Sequence, residues 1–185
     1  GNLFSLNRFP GADGQELGPR LAYGLSYTRD DPLGWSLGVT IGQVIRDRDY
    51  AQFTQGSGLD GTQSDFMLSA SLGIGNSLTL MNRALFSESF NISSNEFALM
   101  WEQDQFDLAS SITWLEADPA EGRPQDMAEW AFDASYDFEN ASINFTVDNL
   151  LDRDPPAVYG TARGFDSINH DAFGRNYRVS FSYFF

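Results

Sequence analysis

Hydrophobic and polar residues alternate one by one along most of this chain, which is the period of a half-buried β-strand. The last stretch is the clearest case. It places Tyr177, Val179, Phe181, Tyr183 and Phe185 on one side and Arg178, Ser180 and Ser182 on the other. A soluble protein would normally protect such an aromatic edge strand with charge or proline. In a barrel that sits in lipid the pattern is expected, because apolar side chains face lipid and polar ones face the lumen.

The same alternation predicts eight further strands, which together with the last one account for most of the chain. They are residues 20–29, 35–45, 66–74, 78–87, 96–102, 106–114, 130–138 and 142–148. The fourth is the least regular, because Asn82 interrupts its apolar side. Trp, Tyr and Phe recur near strand ends, as in the aromatic girdles of membrane barrels. A soluble β-sandwich is disfavoured, because its outer faces would be rich in Lys and Glu.

The connections between the predicted strands alternate in length. Short ones fall at residues 30–34, 75–77, 103–105 and 139–140, and long polar ones at 46–64, 88–95, 117–126 and 150–174. Short periplasmic turns and long extracellular loops are typical of outer-membrane barrels. We therefore predict an all-β fold, a transmembrane antiparallel β-barrel or the C-terminal part of a larger one, with about nine to ten strands.

The predicted organisation is a single outer-membrane barrel region over residues 1–185. Residues 1–19 form an extracellular loop and residues 20–185 supply the strands. Single-chain bacterial barrels have even strand numbers, so nine strands predict at least one more. It would come from upstream of the chain or from irregular pairing of residues 3–9.

Composition excludes several classes of function. The chain carries 26 Asp and Glu against 11 Lys and Arg, a formal net charge of −15, which disfavours binding to nucleic acid. It has no cysteine, so disulfides and thiolate chemistry are excluded. No run of about 18 apolar residues exists, so a transmembrane helix is excluded as well.

The polar faces of the predicted strands carry more acids than bases. The charges that we predict to face the lumen are Glu96, Glu102, Asp107, Asp133, Asp137, Asp148, Arg83 and Arg178. A water-filled interior lined by acids would favour cations. The alternative interpretation, which is favoured, is that these acids keep the interior wet and pair across strands.

Two motifs resemble chemical sites but lack the necessary context. Residues 56–61 fit the pattern G-x-G-x-x-G, yet a strand rather than a helix is predicted to follow them, which favours a flexible extracellular loop. His170 is the single histidine and has Asp166 and Asp171 nearby, but no nucleophile stands at a recognisable spacing. We predict no catalytic residue and no enzymatic activity.

The acidic residues of the predicted loops do not form a recognisable metal site. Glu116, Asp118 and Glu121 carry oxygen ligands of the kind that calcium prefers, but they lack the twelve-residue loop pattern that would make the site specific. We predict that they are solvated loop charges and that the protein needs no metal and no other cofactor.

Five segments resemble consecutive strands and loops of the LptD family. They are NLFSLNRFPGAD at 2–13, GPRLAYGL at 18–25, SGLDGTQSD at 57–65, NRALF at 82–86 and WLEADPA at 114–120, within a likeness over about residues 1–136. The resemblance implies the outer membrane of a Gram-negative bacterium and the insertion of lipopolysaccharide into its outer leaflet. It also implies that lipid leaves through a seam between the first and last strands of the barrel.

The end of the chain, about residues 141–185, resembles a second family, the TonB-dependent receptors. The likeness lies in VDNLLDRDPP at 147–156 and GFDSINHDAFGR at 164–175. Two resemblances in one short chain predict a chimera or a fragment. They leave three alternatives open: a lipopolysaccharide translocon, the C-terminal barrel of a TonB-dependent uptake receptor, and an assembly substrate or engineered barrel without transport activity.

The partners implied by these resemblances are lipids and proteins of the envelope. We expect outer-membrane lipid and lipopolysaccharide, the barrel-assembly machinery acting through the C-terminal strand, and a lipoprotein plug as a further candidate. The C-terminal strand resembles the targeting strand of outer-membrane barrels, which usually ends in Phe.

Overall fold

A computed structural model describes residues 17–152 and 174–184 as one antiparallel sheet of nine strands in sequence order. The strands are β1 Arg20–Asp31, β2 Trp35–Arg46, β3 Phe66–Ile74, β4 Leu78–Phe86, β5 Ile92–Gln103, β6 Phe106–Leu115, β7 Met127–Asp137, β8 Ala141–Asp148 and β9 Asn176–Tyr183. All nine predicted strands are confirmed, including β4 with its interrupted pattern. Within the described residues no second sheet packs on this one, which rules out a sandwich there.

The register between neighbouring strands keeps similar side chains together. Trp35 pairs with Ile74, and that apolar row continues through Leu78 and Trp101. Since a slip of one residue would turn every side chain to the opposite side, the alternation itself specifies this register. We call the side that carries Val39, Leu72, Phe97, Ile112 and Phe145 the apolar face, and the side that carries Ser26, Thr40, Ser71, Ser111 and Asn144 the polar face.

The two ends of the sheet differ in their connections. At one end, the turn end, short links join the strands, and Gly34 closes the first of them with a positive φ of 89° and a hydrogen bond from its N–H to Asp31 O at 2.9 Å. At the other, the loop end, residues 47–65, 87–91 and 116–126 form longer connections. The predicted alternation of short and long connections is therefore confirmed in the described part of the chain.

Little of the sheet is buried, and what is buried lies toward the loop end. The buried apolar residues of the described chain are Val44, Leu59, Ala84, Leu85 and Val147. The two helical segments among the described residues are 3-10 turns, Gln55–Ser57 and Pro119–Glu121. No helix in this part of the chain is long and apolar enough to cross a membrane.

The described sheet is open, with β1 and β9 as its edges. Because each strand is antiparallel to the next, these two odd-numbered strands run in the same direction. They are not hydrogen-bonded to each other in the described residues. The structure thus confirms an all-β antiparallel sheet, and closure into a transmembrane barrel stays a prediction.

Candidate functional site

The predicted lumen charges all lie on the polar face of the sheet. Their positions follow from the register, in which Arg83 pairs with Glu96 and Glu102 with Asp107. Farther along, Thr146 of β8 pairs with Asp133 of β7 on one side and with Arg178 of β9 on the other. Asp148 of β8 pairs with Asn176 of β9. Asp137 pairs with Ser142, so β4 to β9 share one acid-rich surface.

Some of these charges have partners on neighbouring strands. Arg83 Nη1 lies 3.5 Å from Glu96 Oε2 in a half-exposed ion pair. Asp133 accepts hydrogen bonds from Asn144 Nδ2 at 3.1 Å and from Thr146 Oγ1 at 2.7 Å. These contacts agree with the interpretation that polar-face acids pair across strands.

One pair of acids departs from that interpretation. Glu102 and Asp107 stand directly opposite each other on β5 and β6, an arrangement in which like charges repel. Asp107 accepts a hydrogen bond from Ser135 Oγ at 3.4 Å. The turn end of the polar face is therefore its most acidic part.

The opposite half of the polar face, on β1 to β3, carries few charges and mostly small side chains. It holds a shallow cavity of about 310 Å³, lined by Ser26, Thr28, Asp30, Ser36, Leu37, Gly38, Val39, Thr40, Ser69 and Ser71. Two glycines let serine hydroxyls approach the backbone closely. A Cβ at Gly38 would lie 2.7 Å from Ser71 Oγ, and one at Gly73 would lie 2.6 Å from Ser36 Oγ.

The predicted terminal strand is β9, whose aromatic and aliphatic side chains lie on the apolar face. Tyr177, Val179, Phe181 and Tyr183 are 56%, 66%, 66% and 55% exposed. Their register with β8 pairs Phe181 with Ile143. Phe185, the last of the predicted targeting residues, lies outside the described residues, as do His170, Asp166 and Asp171.

Two of the long connections fold together at the loop end into what we call the loop cap, residues 47–65 and 116–126. Thr54 Oγ1 donates to Glu121 Oε1 at 3.2 Å, and a Cβ on Gly56 would lie 2.8 Å from both Ala117 O and Asp118 Cβ. Leu59 is buried at 6% exposure. The segment 56–61, predicted to be a flexible loop, is packed against its neighbours.

The loop cap is also tied to the sheet below it. Ser93, the extra residue where the β4–β5 register shifts, donates a short hydrogen bond from Oγ to Asp65 Oδ2. The Arg46 guanidinium lies 5.1 Å from the centre of the Phe53 ring. Partial burial raises the pKa of the Asp60 carboxyl above its ordinary value, and the Asp65 carboxylate adds to this. The folded cap therefore binds the Asp60 proton more tightly than the unfolded chain does. For this reason the stability of the cap increases as the pH falls through the raised pKa.

The prediction that Asp118 is a solvated loop charge is wrong. Its side chain is 2% exposed, and its Oδ1 accepts from the N–H groups of Ala120 and Glu121 at 3.1 and 3.3 Å. The sequence Asp-Pro-Ala-Glu gave a signal for this role, since Asp before Pro is a common start of a helical turn. No group of three or more Asp, Glu, His or Cys residues suited to a metal ion occurs in the described residues.

We expect Asp118→Ala to lower the free energy of unfolding of the loop cap by about 1–2 kcal/mol, because two backbone N–H groups lose their acceptor. Asp118→Asn is the matched control, since its amide oxygen can accept the same two hydrogen bonds. Limited proteolysis within residues 47–65 measures the effect. Equal cleavage of the two variants would contradict the capping role.

An amide pair that sequence reasoning did not find lies on the apolar face. Asn82 Nδ2 donates to Asn95 Oδ1 at 3.2 Å and to Glu96 O at 3.1 Å. On the same face, Trp130 Nε1 donates to Ser110 Oγ at 2.8 Å, which satisfies a second polar group there. The interrupted pattern of β4 indicated Asn82, but the pattern did not indicate its partner.

Comparison with known families places this sheet among transport proteins. The LptD family model, described as LPS transport system D, matches residues 1–146. The chain belongs to the LptD family. No curated protein and no solved structure shows significant similarity to it. The predicted resemblance to LptD is thus confirmed, over ten residues more than expected.

Family membership supports the broader predictions about function. LptD proteins are outer-membrane proteins of Gram-negative bacteria that take part in lipopolysaccharide transport, and they are not enzymes. The resemblance of residues 141–185 to TonB-dependent receptors has no family match behind it and stays a prediction. The LptD match includes β1 to β7 and most of β8.

Proposed function

We propose that this LptD-family chain forms part of an outer-membrane barrel that delivers lipopolysaccharide to the cell surface. Its apolar face would contact lipid and its polar face would line the interior. The observation that carries the proposal is the nine-stranded sheet with an exposed apolar face, in a chain whose family transports lipopolysaccharide.

The exposed apolar side chains support contact with lipid. Interior strands leave Phe97, Ile112 and Phe145 at 37–38% exposure, and β1 leaves Leu25 at 77%. Soluble monomers rarely expose apolar patches of more than a few hundred Å². A face of this kind across nine strands needs an apolar environment, and lipid supplies it.

Aromatic residues on the apolar face support two membrane–water boundaries. Trp35, Trp101 and Tyr136 lie toward the turn end, and Trp114 lies toward the loop end. Such rings favour the headgroup level on each side of a bilayer. Their separation along the strands matches the two aromatic girdles of a barrel.

Among the strands that the structure describes, one arginine lies on the apolar face, near its turn end. Arg29 packs over the Trp35 ring, with its guanidinium carbon 4.9 Å from the ring centre, and pairs with Asp31 at 2.7 Å. A long cationic side chain can bring its charge to the headgroup level from such a position. This placement supports a turn end at one of the two membrane–water boundaries.

The polar face supports a hydrated interior closed at the outer mouth. The loop cap buries Leu59 and Asp118 at the loop end, which we assign to the extracellular side. Below it, hydroxyl groups on β1 to β3 and acids on β4 to β9 offer a wet surface to the polar part of lipopolysaccharide. A lipoprotein plug would occupy the same interior.

A lipid exit seam of the kind that the family resemblance implies is part of this proposal. The edge strands β1 and β9 run in the same direction, so antiparallel closure requires a further odd number of strands between them. We propose β9 as one side of the seam and as the strand through which the assembly machinery inserts the barrel. Exposed Phe181 and Tyr183 would meet lipid there.

Depletion of the full-length protein in its own bacterium tests the transport function. We expect the lipopolysaccharide that is accessible to a membrane-impermeant label at the cell surface to fall at least fivefold, while its synthesis continues. Complementation by the intact gene is the control. Unchanged surface lipopolysaccharide together with loss of iron-chelate or cobalamin uptake would instead favour a TonB-dependent receptor.

A further inference from the structure

Four neighbouring side chains break the apolar pattern on the face that we assign to lipid. Ala70 pairs with Asn82 across β3 and β4, and Ala84 pairs with Asn95 across β4 and β5. Leu68, Leu80 and Phe97 border this group of small and polar residues. We call Ala70, Asn82, Ala84 and Asn95 the amide patch.

The hydrogen bonds within the amide patch leave one donor group and one acceptor without a partner. Both N–H groups of Asn82 are used, toward Asn95 Oδ1 and Glu96 O. Within the described residues, Asn82 Oδ1 accepts no hydrogen bond and the Asn95 NH₂ group donates none. The patch therefore presents a free carbonyl oxygen beside a free amide NH₂.

The depth of Asn82 makes these free groups costly. It lies four residues from each end of β4, or roughly 13 Å along the strand at about 3.3 Å per residue. In the barrel that we propose this is near the middle of the apolar band. Lipid chains at that depth supply neither donors nor acceptors.

We propose that the amide patch is the contact through which two copies of this protein associate side by side in the outer membrane. A twofold axis would place Asn82 Oδ1 of one copy against the Asn95 amide of the other, and the reverse contact would form at the same time. This inference rests on the proposed membrane location of the apolar face.

The hydrogen-bonding groups and the size of the side chains favour a second copy of this protein as the occupant. The free donor and the free acceptor are complementary to each other, so an identical patch satisfies both. The small side chain of Ala70 allows close approach, as small residues beside polar side chains do between transmembrane helices. A lipid headgroup is disfavoured because of the depth of Asn82.

Cysteine cross-linking of the full-length protein in its native membrane tests the association. The 185 residues contain no cysteine, so Ala70→Cys introduces a reporter at the patch, and any cysteine in the rest of the protein would first be replaced. With a short bis-maleimide we expect a product of twice the monomer mass. Ile143→Cys, on the apolar face of β8 and 39% exposed, is the matched control and should give at least fivefold less product.

A second substitution tests whether the amide hydrogen bonds, and not only the closeness of two copies, are responsible for the cross-linked dimer. Asn82→Leu in the Ala70→Cys background puts an apolar side chain of similar size at this position and removes the interchain hydrogen bonds. We expect it to reduce the dimer fivefold to tenfold. Unchanged cross-linking in this variant, equal cross-linking from Ile143→Cys, or a product of a different mass would each overturn the proposal.

The proposed function and the dimer can fail separately. Heat-modifiable gel mobility and quenching of tryptophan fluorescence by brominated lipid report whether the protein is embedded in the membrane. An embedded protein that does not cross-link overturns the dimer alone. A protein that is neither heat-modifiable nor quenched overturns the membrane location and the dimer with it.

Discussion

Replacing Phe181 and Phe185 together by Ser is expected to abolish insertion of the full-length protein into the outer membrane, with a loss of folded, heat-modifiable protein of tenfold or more. Phe181 is 66% exposed on the apolar face of β9 and pairs with Ile143. Moving a Phe side chain from lipid to water costs about 1.5–3 kcal/mol. Two such losses on an edge strand remove most of its affinity for the membrane and for the assembly machinery.

The control for this prediction uses the other face of the same strand. Ser180 and Ser182 pair with Asn144 and Ser142 on the polar face, so Ser180→Ala with Ser182→Ala should leave insertion nearly unchanged. The measurement is the fraction of protein that shifts in gel mobility on boiling. Normal insertion of the double Phe variant would refute the role of the last strand in targeting.

Two consecutive residues of β6 provide the second test with a large expected effect. Ile112 pairs with Trp130 on the apolar face, and Ser111 pairs with Ala131 on the polar face; both are exposed. We expect Ile112→Arg to lower the free energy of unfolding in lipid vesicles by about 2–4 kcal/mol, as for a cation near the middle of the bilayer. Ser111→Arg should change it by less than about 0.5 kcal/mol.

This pair distinguishes lipid from water as the environment of the apolar face. In water an exposed isoleucine could be replaced by arginine at little cost, because the charge would remain solvated. Unfolding by urea in vesicles gives both free energies on the same scale. Equal effects of the two substitutions would contradict lipid contact by the apolar face.

The strands could be predicted from the sequence because each one separates two environments. Every strand has a neighbour on at least one side and a different medium on each face, so its own alternation contains the necessary information. Turns such as the one closed by Gly34 follow from the same segmentation. For this reason even β4, with Asn82 in its apolar side, begins and ends close to its predicted bounds.

The loop cap and the amide patch could not be predicted in the same way. Thr54 and Glu121 are 67 residues apart, and no periodic pattern links them. Asn95 meets Asn82 because of the exact register of β4 and β5, which a single strand does not determine. Side chains whose partners lie on other segments require the register of the whole sheet.

The order of the strands has a consequence for how the chain folds. Every strand is hydrogen-bonded to its neighbours in sequence, so the described sheet contains hairpins and no long crossover. Contacts between neighbouring segments carry a small entropic cost of loop closure and favour rapid folding. Each added hairpin creates a new edge that templates the next one. The sheet can therefore grow by stepwise zipping, in which a defect in one hairpin delays only the strands that come after it in the direction of growth.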